Sequence, residues 1–305
     1  LEKGLRSERA LTLALAEMYV QGVSTRKVKA ITEQLCGAAI SSSHVSRAAK
    51  ELDEGLQAWR ERPLGTYLYL YLDARYEKVR QDGQVQDAAV LIAVGVSPDG
   101  KRDILGASVA LSEQEVHWRS FLQSLVQRGL QGVRLIISDA HTGLRAACRS
   151  VFGGVPWQRC QFHLQQNAQA YVPRRSMQGE VAEDLRTIFN APDRATADDW
   201  LARIVKKYET AASHLATWME TNIPEGLTVF HFPQSHRRRI RTANLLERLN
   251  QEVKRRTRVV RIFPNEAACL RLVSAVLMEK SEAWLTGRTY LNFESFEMIM
   301  PSPPS

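Results

Sequence analysis

No stretch of this 305-residue chain approaches the ~18 uninterrupted apolar residues of a membrane helix, so a membrane-spanning protein is not expected. The start carries no basic region with an apolar stretch behind it, so no secretory leader is expected either. Cysteine is scarce. Cys36, Cys148, Cys160 and Cys269 are scattered without paired spacing, which excludes a disulfide framework and fits a reducing cytoplasm. A phosphate-cradling Gly-x-x-x-x-Gly-Lys loop is missing, so no nucleotide cofactor is implied, and no internal repeat is visible. Leu1 falls inside a charged helical pattern (Glu2, Lys3, Arg6, Glu8, Arg9), which reads as a start within a longer protein. What remains is an ordinary composition, 44% hydrophobic and 24% charged, at a length that predicts two or three units.

The charge is unevenly placed. Net charge is +8, and between His236 and Arg261 ten basic residues face only Glu247 and Glu252, so that stretch holds the whole excess. Such a concentration suits a surface that tracks phosphates, because each neutralised phosphate releases counterions. The residues expected to contact DNA are Arg237, Arg238, Arg239, Arg241, Arg248, Asn250, Lys254, Arg255, Arg256 and Arg258. A solvated basic face without a ligand is the alternative.

Periodicity divides the chain. Residues 1–60 read as helices: Ser24 caps a first one, Gly37 interrupts, and Ser41 or Ser42 opens a second carrying His44, Arg47 and Lys50. The pair is similar to a helix-turn-helix DNA-binding region. From Thr66 the period changes to two. Leu68, Leu70 and Leu72 alternate with Tyr67, Tyr69, Tyr71 and Asp73, and an apolar run covers Ala88 to Val96. A turn at Pro98-Asp99-Gly100 leads to a third strand, Ile104 to Val109. Ser112 and Glu115 are expected to form a capping box for the next helix. A fourth strand ends at Asp139, a helix runs from Thr142 to Phe152, and a fifth strand lies near Trp157 to Phe162. The order βββαβαβα predicts an α/β, ribonuclease H-like mixed sheet whose first and fourth strands are neighbours. The first part of that core spans 61–173, an all-helical insertion 174–236, and a final helix with C-terminal helical segments 237–295. Residues 296–305, rich in proline and serine, are expected to be disordered.

Three acids stand out. Asp73 lies in a strand, where burying its charge is costly without a cation or donor. Asp139 sits at a strand end, where it could equally cap a helix. Glu247 follows Asn244 by three residues, imitating a capping box, yet it heads the polar side of a helix whose other side carries Leu245, Leu246, Leu249 and Val253. On neighbouring strands, Asp73 and Asp139 would share a hard cation such as Mg²⁺. Three carboxylates can hold two metal ions about 3.5–4 Å apart.

The segment Thr242-Ala243-Asn244-Leu245-Leu246-Glu247-Arg248-Leu249-Asn250, continuing through Arg255-Arg256-Thr257-Arg258 to Phe263-Pro264-Asn265, resembles the signature of Mutator-type transposases of bacterial insertion sequences. So do Tyr71-Leu72-Asp73-Ala74, Ile137-Ser138-Asp139-Ala140-His141 and Trp157-Gln158-Arg159-Cys160-Gln161-Phe162-His163. The resemblance implies a DNA transposase that binds element ends, cleaves with Mg²⁺ or Mn²⁺, and joins the freed 3′-hydroxyl to target DNA. It carries the catalytic and metal-binding triad onto Asp73, Asp139 and Glu247, and puts His163, Cys160 and His141 near the active site. Double-stranded DNA is the implied partner, with a homodimer or higher oligomer assembled on it, in a bacterial cytoplasm at the nucleoid. A catalytically silent DNA-binding regulator, or a ribonuclease H-like nuclease that cuts without joining, are the competing readings. Cys160-x-x-His163 lacks the second pair that a four-ligand zinc site needs, so a buried cysteine beside a helix-opening histidine is expected instead.

Overall fold

The computed structural model describes residues 14–23, 27–28, 30–32 and 52–293. The expected second helix of the N-terminal pair and the expected disordered tail lie outside them. Within them, α1 (Asp53–Glu61) leads into β1 (Tyr69–Gln81), β2 (Gln84–Val96), β3 (Arg102–Ala110), α2 (Glu115–Gln127), β4 (Leu135–Ser138), α3 (Thr142–Val151), β5 (Trp157–Arg159) and α4 (Gln161–Gln169). Helices α5 (Gln178–Phe189), α6 (Arg194–Tyr208), α7 (Ser213–Asn222), α8 (Gln234–Ile240), α9 (Asn244–Thr257) and α10 (Glu266–Thr286) follow.

The strands form one five-stranded mixed sheet in the order β3-β2-β1-β4-β5. β1, β2 and β3 are an antiparallel meander, and β4 pairs parallel with β1. Alternation along β1 sends Tyr69 and Tyr71 into one core and Leu70 and Leu72 into the other. Helices α2 and α3 supply Phe121, Leu122, Leu125 and Leu144 to the second core, while α9 and α10 close the first. With helices on both faces, β2 is buried without interruption from Ala88 to Val96, which is why its sequence is a continuous apolar run. Val181, Leu185, Leu201, Leu215 and Met219 extend the first core through α5–α7. Trp200 and Trp218 pack against it, and Trp218 stacks on Tyr171 at 5.3 Å.

Three local expectations are corrected. The strand expected to reach Phe162 ends at Arg159, because Gln161 already starts α4. The Ser112–Glu115 capping box does not form: Gln114 is the N-cap of α2 and no side chain caps it. Asn244 does not cap α9; it is the first helical residue, and Ala243 precedes it as N-cap.

Gly100 fixes the far end of the sheet. Its φ of +78° favours glycine, and its carbonyl accepts from the Tyr290 and Leu291 amides at 2.8 and 3.3 Å. A Cβ there would land on the Leu291 carbonyl oxygen. Gly100→Ala should therefore detach residues 289–291 at a cost of about 2 kcal/mol or more, read as a lower melting temperature and faster proteolysis near Arg288. Unchanged melting and digestion would refute this anchoring.

Candidate active site

Strand register builds the site. The β1–β4 ladder ends with Leu72 opposite Ser138, and the β4–β5 ladder ends with Ser138 opposite Arg159. The next residues, Asp73, Asp139 and Cys160, are therefore carried side by side just past the paired positions. Asp73 accepts the Ala74 amide at 2.9 Å and the Asn250 side-chain amide at 2.7 Å. Asp139 accepts the Ala140 amide at 2.8 Å; it does not cap α3, whose N-cap is His141. Asp73, Asp139 and His141 line a hollow of about 300 Å³ together with Glu113, Arg159 and Asn167.

Helix α9 brings Glu247 to His163, whose other ring nitrogen faces Asp139. Because the helix begins one residue earlier than a capping box requires, Glu247 is its fourth residue and its carboxylate is not engaged in capping. His163, one turn into α4, stands between the acids, with Nδ1 3.7 Å from Asp139 and Nε2 3.8 Å from Glu247. Its hydrogen bond with Cys160, and then the two carboxylates, raise its pKa to about 9 against the opposing effect of burial. Burial raises the Asp73 carboxyl to about 7; Ala74 and His163 oppose this, and Asp139 and Glu113 add to it. Cys160 is fully buried and its Sγ accepts the Ala243 amide at 3.3 Å, joining the end of β5 to the start of α9.

The donor set fits a hard divalent cation. Oε1 of Glu247 and Nδ1 of His163 are buried without a hydrogen-bond partner, and burial beside other acids holds Asp73 near neutrality. Carboxylate oxygens left in that condition are what a divalent ion satisfies. Among the described residues the one three-residue group with ligand atoms within 4.8 Å of one another is Cys160, His163 and Glu247; Asp73, Asp139 and Glu247 do not close to that range.

Residues 1–287 match the Mutator family of transposases. The chain belongs to that family. The transposase for insertion sequence element IS406 of Burkholderia multivorans is 59% identical over 96% of this chain and 76% of its own length. That for ISRM5 of Rhizobium meliloti is 48% identical over 96% and 74%. That for IS1081 of Mycobacterium tuberculosis is 43% identical over 96% and 71%. A chain in the structure of the simian T-cell lymphotropic virus intasome with a PP2A regulatory subunit aligns over 65% of this chain and 68% of its own. Its TM-score of 0.24 and 14% identity carry no argument.

The basic stretch of this Mutator-family chain is less free than its composition suggests. Arg256 is 2% exposed and bonds the Val20 carbonyl, Glu252 and Glu279, so it is a core ion pair and not a DNA contact. Arg237 donates to the carbonyls of Pro192, Phe230 and Phe232, and Arg241 to Asn190. Asn250, expected on the DNA face, holds Asp73 instead, while its own carbonyl accepts from Arg75. Arg255 forms a bidentate pair with Glu252 at the surface. Arg238, Arg239, Arg248, Lys254 and Arg258 remain exposed.

Glu113 escaped the sequence reading. It lies 13% exposed between β3 and α2, 3.8 Å from His141 and hydrogen-bonded to Tyr76. Its neighbours Ser112 and Glu115 imitated a cap and drew attention away. No helix among the described residues is long and apolar enough to cross a membrane.

Proposed function

We propose that this chain is the catalytic part of an insertion-sequence transposase with a ribonuclease H-like core, which cleaves double-stranded DNA at element ends and joins the 3′-hydroxyl to a target. One observation carries the reading: the strand register that sets Asp73 beside Asp139 on neighbouring inner strands, with Glu247 of a basic helix facing Asp139 across His163. The family, and relatives that are transposases of insertion sequences, support the same conclusion. Asp73, Asp139 and Glu247 would hold Mg²⁺ or Mn²⁺, two ions in the expected arrangement. When bound, the metal activates the attacking oxygen and stabilises the leaving one.

The chain's own residues do the rest. Asn250 fixes one Asp73 oxygen and thereby ties the register of α9 to β1. His163 holds positive charge between Asp139 and Glu247 and keeps the two carboxylates from repelling one another in the metal-free protein. Exposed Arg238, Arg239, Arg248, Lys254 and Arg258 would attract the phosphate backbone, in a homodimer or higher oligomer on DNA. Helices α5–α7 act as an insertion between the sheet and the last helices of the core.

Incubation with labelled element-end DNA and Mg²⁺ or Mn²⁺ should yield nicked and then joined products. Nicking without joining would make the chain a nuclease, and binding without nicking a silent regulator.

A further inference from the structure

A second charged cluster gathers where the start of β3 meets Tyr290, and takes no part in holding the three acids. Arg102, the first residue of β3, is sandwiched between aromatic rings, its guanidinium 4.7 Å from the Trp284 centroid and 4.6 Å from that of Tyr290. Arg239 lies 5.0 Å from the centroid of the same Tyr290 ring. Tyr290 hydrogen-bonds the buried Tyr71 hydroxyl, which also donates to the Arg239 carbonyl at 3.2 Å. Arg248 is near enough to act on both Arg102 and Tyr290 electrostatically.

Two guanidinium groups thus lie against one tyrosine ring, with a third in electrostatic range. Among the described residues no carboxylate forms an ion pair with any of the three, although almost every other buried or half-buried arginine in the site region has an acid or carbonyl partner. The Nε of Arg102 is buried and has no hydrogen-bond partner. Like charges held together with an unsatisfied donor are costly unless an anion completes them. Burial, the largest cause, already lowers the Arg102 pKa, and Arg239 and Arg248 lower it further.

We infer that Arg102, Arg239 and Arg248, gathered around the Tyr290 ring, form a seat for one backbone phosphate of the DNA strand. The inference rests on the DNA-transposase reading and adds to it a location. Tyr71 precedes Asp73 by two residues on the same face of β1, and Arg248 follows Glu247 directly on α9. A phosphate in the seat would therefore fix the strand a short step from the acids. Fork-shaped guanidiniums match a phosphodiester, and Trp284 and Tyr290 keep the Arg102 plane in one orientation.

The test measures the salt dependence of binding to a short duplex by fluorescence anisotropy, in EDTA so that the acids are not involved. Arg102→Gln, Arg239→Gln, Arg248→Gln and the triple variant are compared with the full chain, each checked for an unchanged melting curve. One shared phosphate predicts that the triple variant loses about one unit of log–log slope, and not about three. Phosphate ethylation should interfere with wild-type binding at one position and lose that interference in the triple variant. Arg248→Gln, on an exposed helix surface, keeps the test decisive if the Arg102 variant misfolds: it should weaken the interference at that same phosphate. An unchanged slope and interference pattern with wild-type-like binding would overturn the seat and leave the transposase reading standing. A slope loss near three would replace the shared seat by separate contacts. A wild-type chain that shows no salt-dependent binding would overturn both readings.

Discussion

Asp73→Asn is expected to abolish strand cleavage while making the metal-free protein more stable at neutral pH. A metal-binding carboxylate contributes several kcal/mol to the transition state, so the rate should fall at least ~100-fold. DNA affinity should hold or rise slightly, because a negative charge is removed near the phosphate path. The stability gain follows from the raised carboxyl, at about 7 in the fold against the ordinary aspartate value near 3.9. A folded pKa above the unfolded one means that the native state binds its proton more tightly. Stability is then lost as pH rises from about 4 to about 7 and stays at its reduced level above that. Asparagine removes this loss, so the melting-temperature gain should vanish below pH 4 and reach its plateau above pH 7. The new amide keeps a partner, since Asn250 can turn its side-chain Oδ1, at present buried and unbonded, toward it. Melts from pH 4 to 8 in EDTA, and again with Mn²⁺, test both halves. Mn²⁺ should raise wild-type melting and leave the variant nearly unmoved. Cleavage at a near wild-type rate would remove Asp73 from the triad.

Glu247→Gln and Glu252→Gln, on the same helix, should give opposite signatures. Glu247 makes no capping bond and no hydrogen bond through its buried Oε1, so glutamine there should leave the melting temperature almost unchanged. Cleavage and joining should fall at least ~100-fold, because a neutral amide is a poor ligand for Mg²⁺. Glu252 is committed elsewhere. Hydrogen bonds from Arg255 first, then Arg256, with Lys280 nearby, hold its carboxyl down at about 2. A depressed acid contributes stability above its unfolded value near 4.3, and that contribution is lost as pH falls toward 2. Glutamine would leave the buried Arg256 with Glu279 and the Val20 carbonyl alone, at a cost of about 1–3 kcal/mol. Glu252→Gln should therefore melt a few degrees lower yet keep cleavage at temperatures where it is folded. Equal activity in the two variants would return Glu247 to a purely structural role.

Much of the frame is written locally in the chain. The neighbouring of the first and fourth strands follows from the ribonuclease H-like order of elements and not from a local pattern, whereas alternation from Tyr67 to Asp73, the unbroken Ala88–Val96 run and the apolar strand ending at Asp139 mark the strands themselves. They do so because period two and two-sided burial are properties of adjacent residues. The amphipathic pattern of α9 likewise settles which of its sides is buried. Helix starts are less legible: Ser112 and Asn244 carry the right side chains for caps, but packing sets the first turn of α2 and α9 elsewhere. The basic stretch is where sequence alone reaches its end. The polar side chains of that stretch look equivalent in sequence, yet Arg256 is taken by Glu279 and by a carbonyl 236 positions away, Arg237 by Phe230, and Asn250 by Asp73. Glu113 acts electrostatically on Asp73, and Arg102 packs on the Tyr290 ring, although neither pair is adjacent in sequence. Periodicity reports that a face is buried, whereas the distant group that fills it is chosen by the fold, and with it the charge, exposure and chemistry of each side chain.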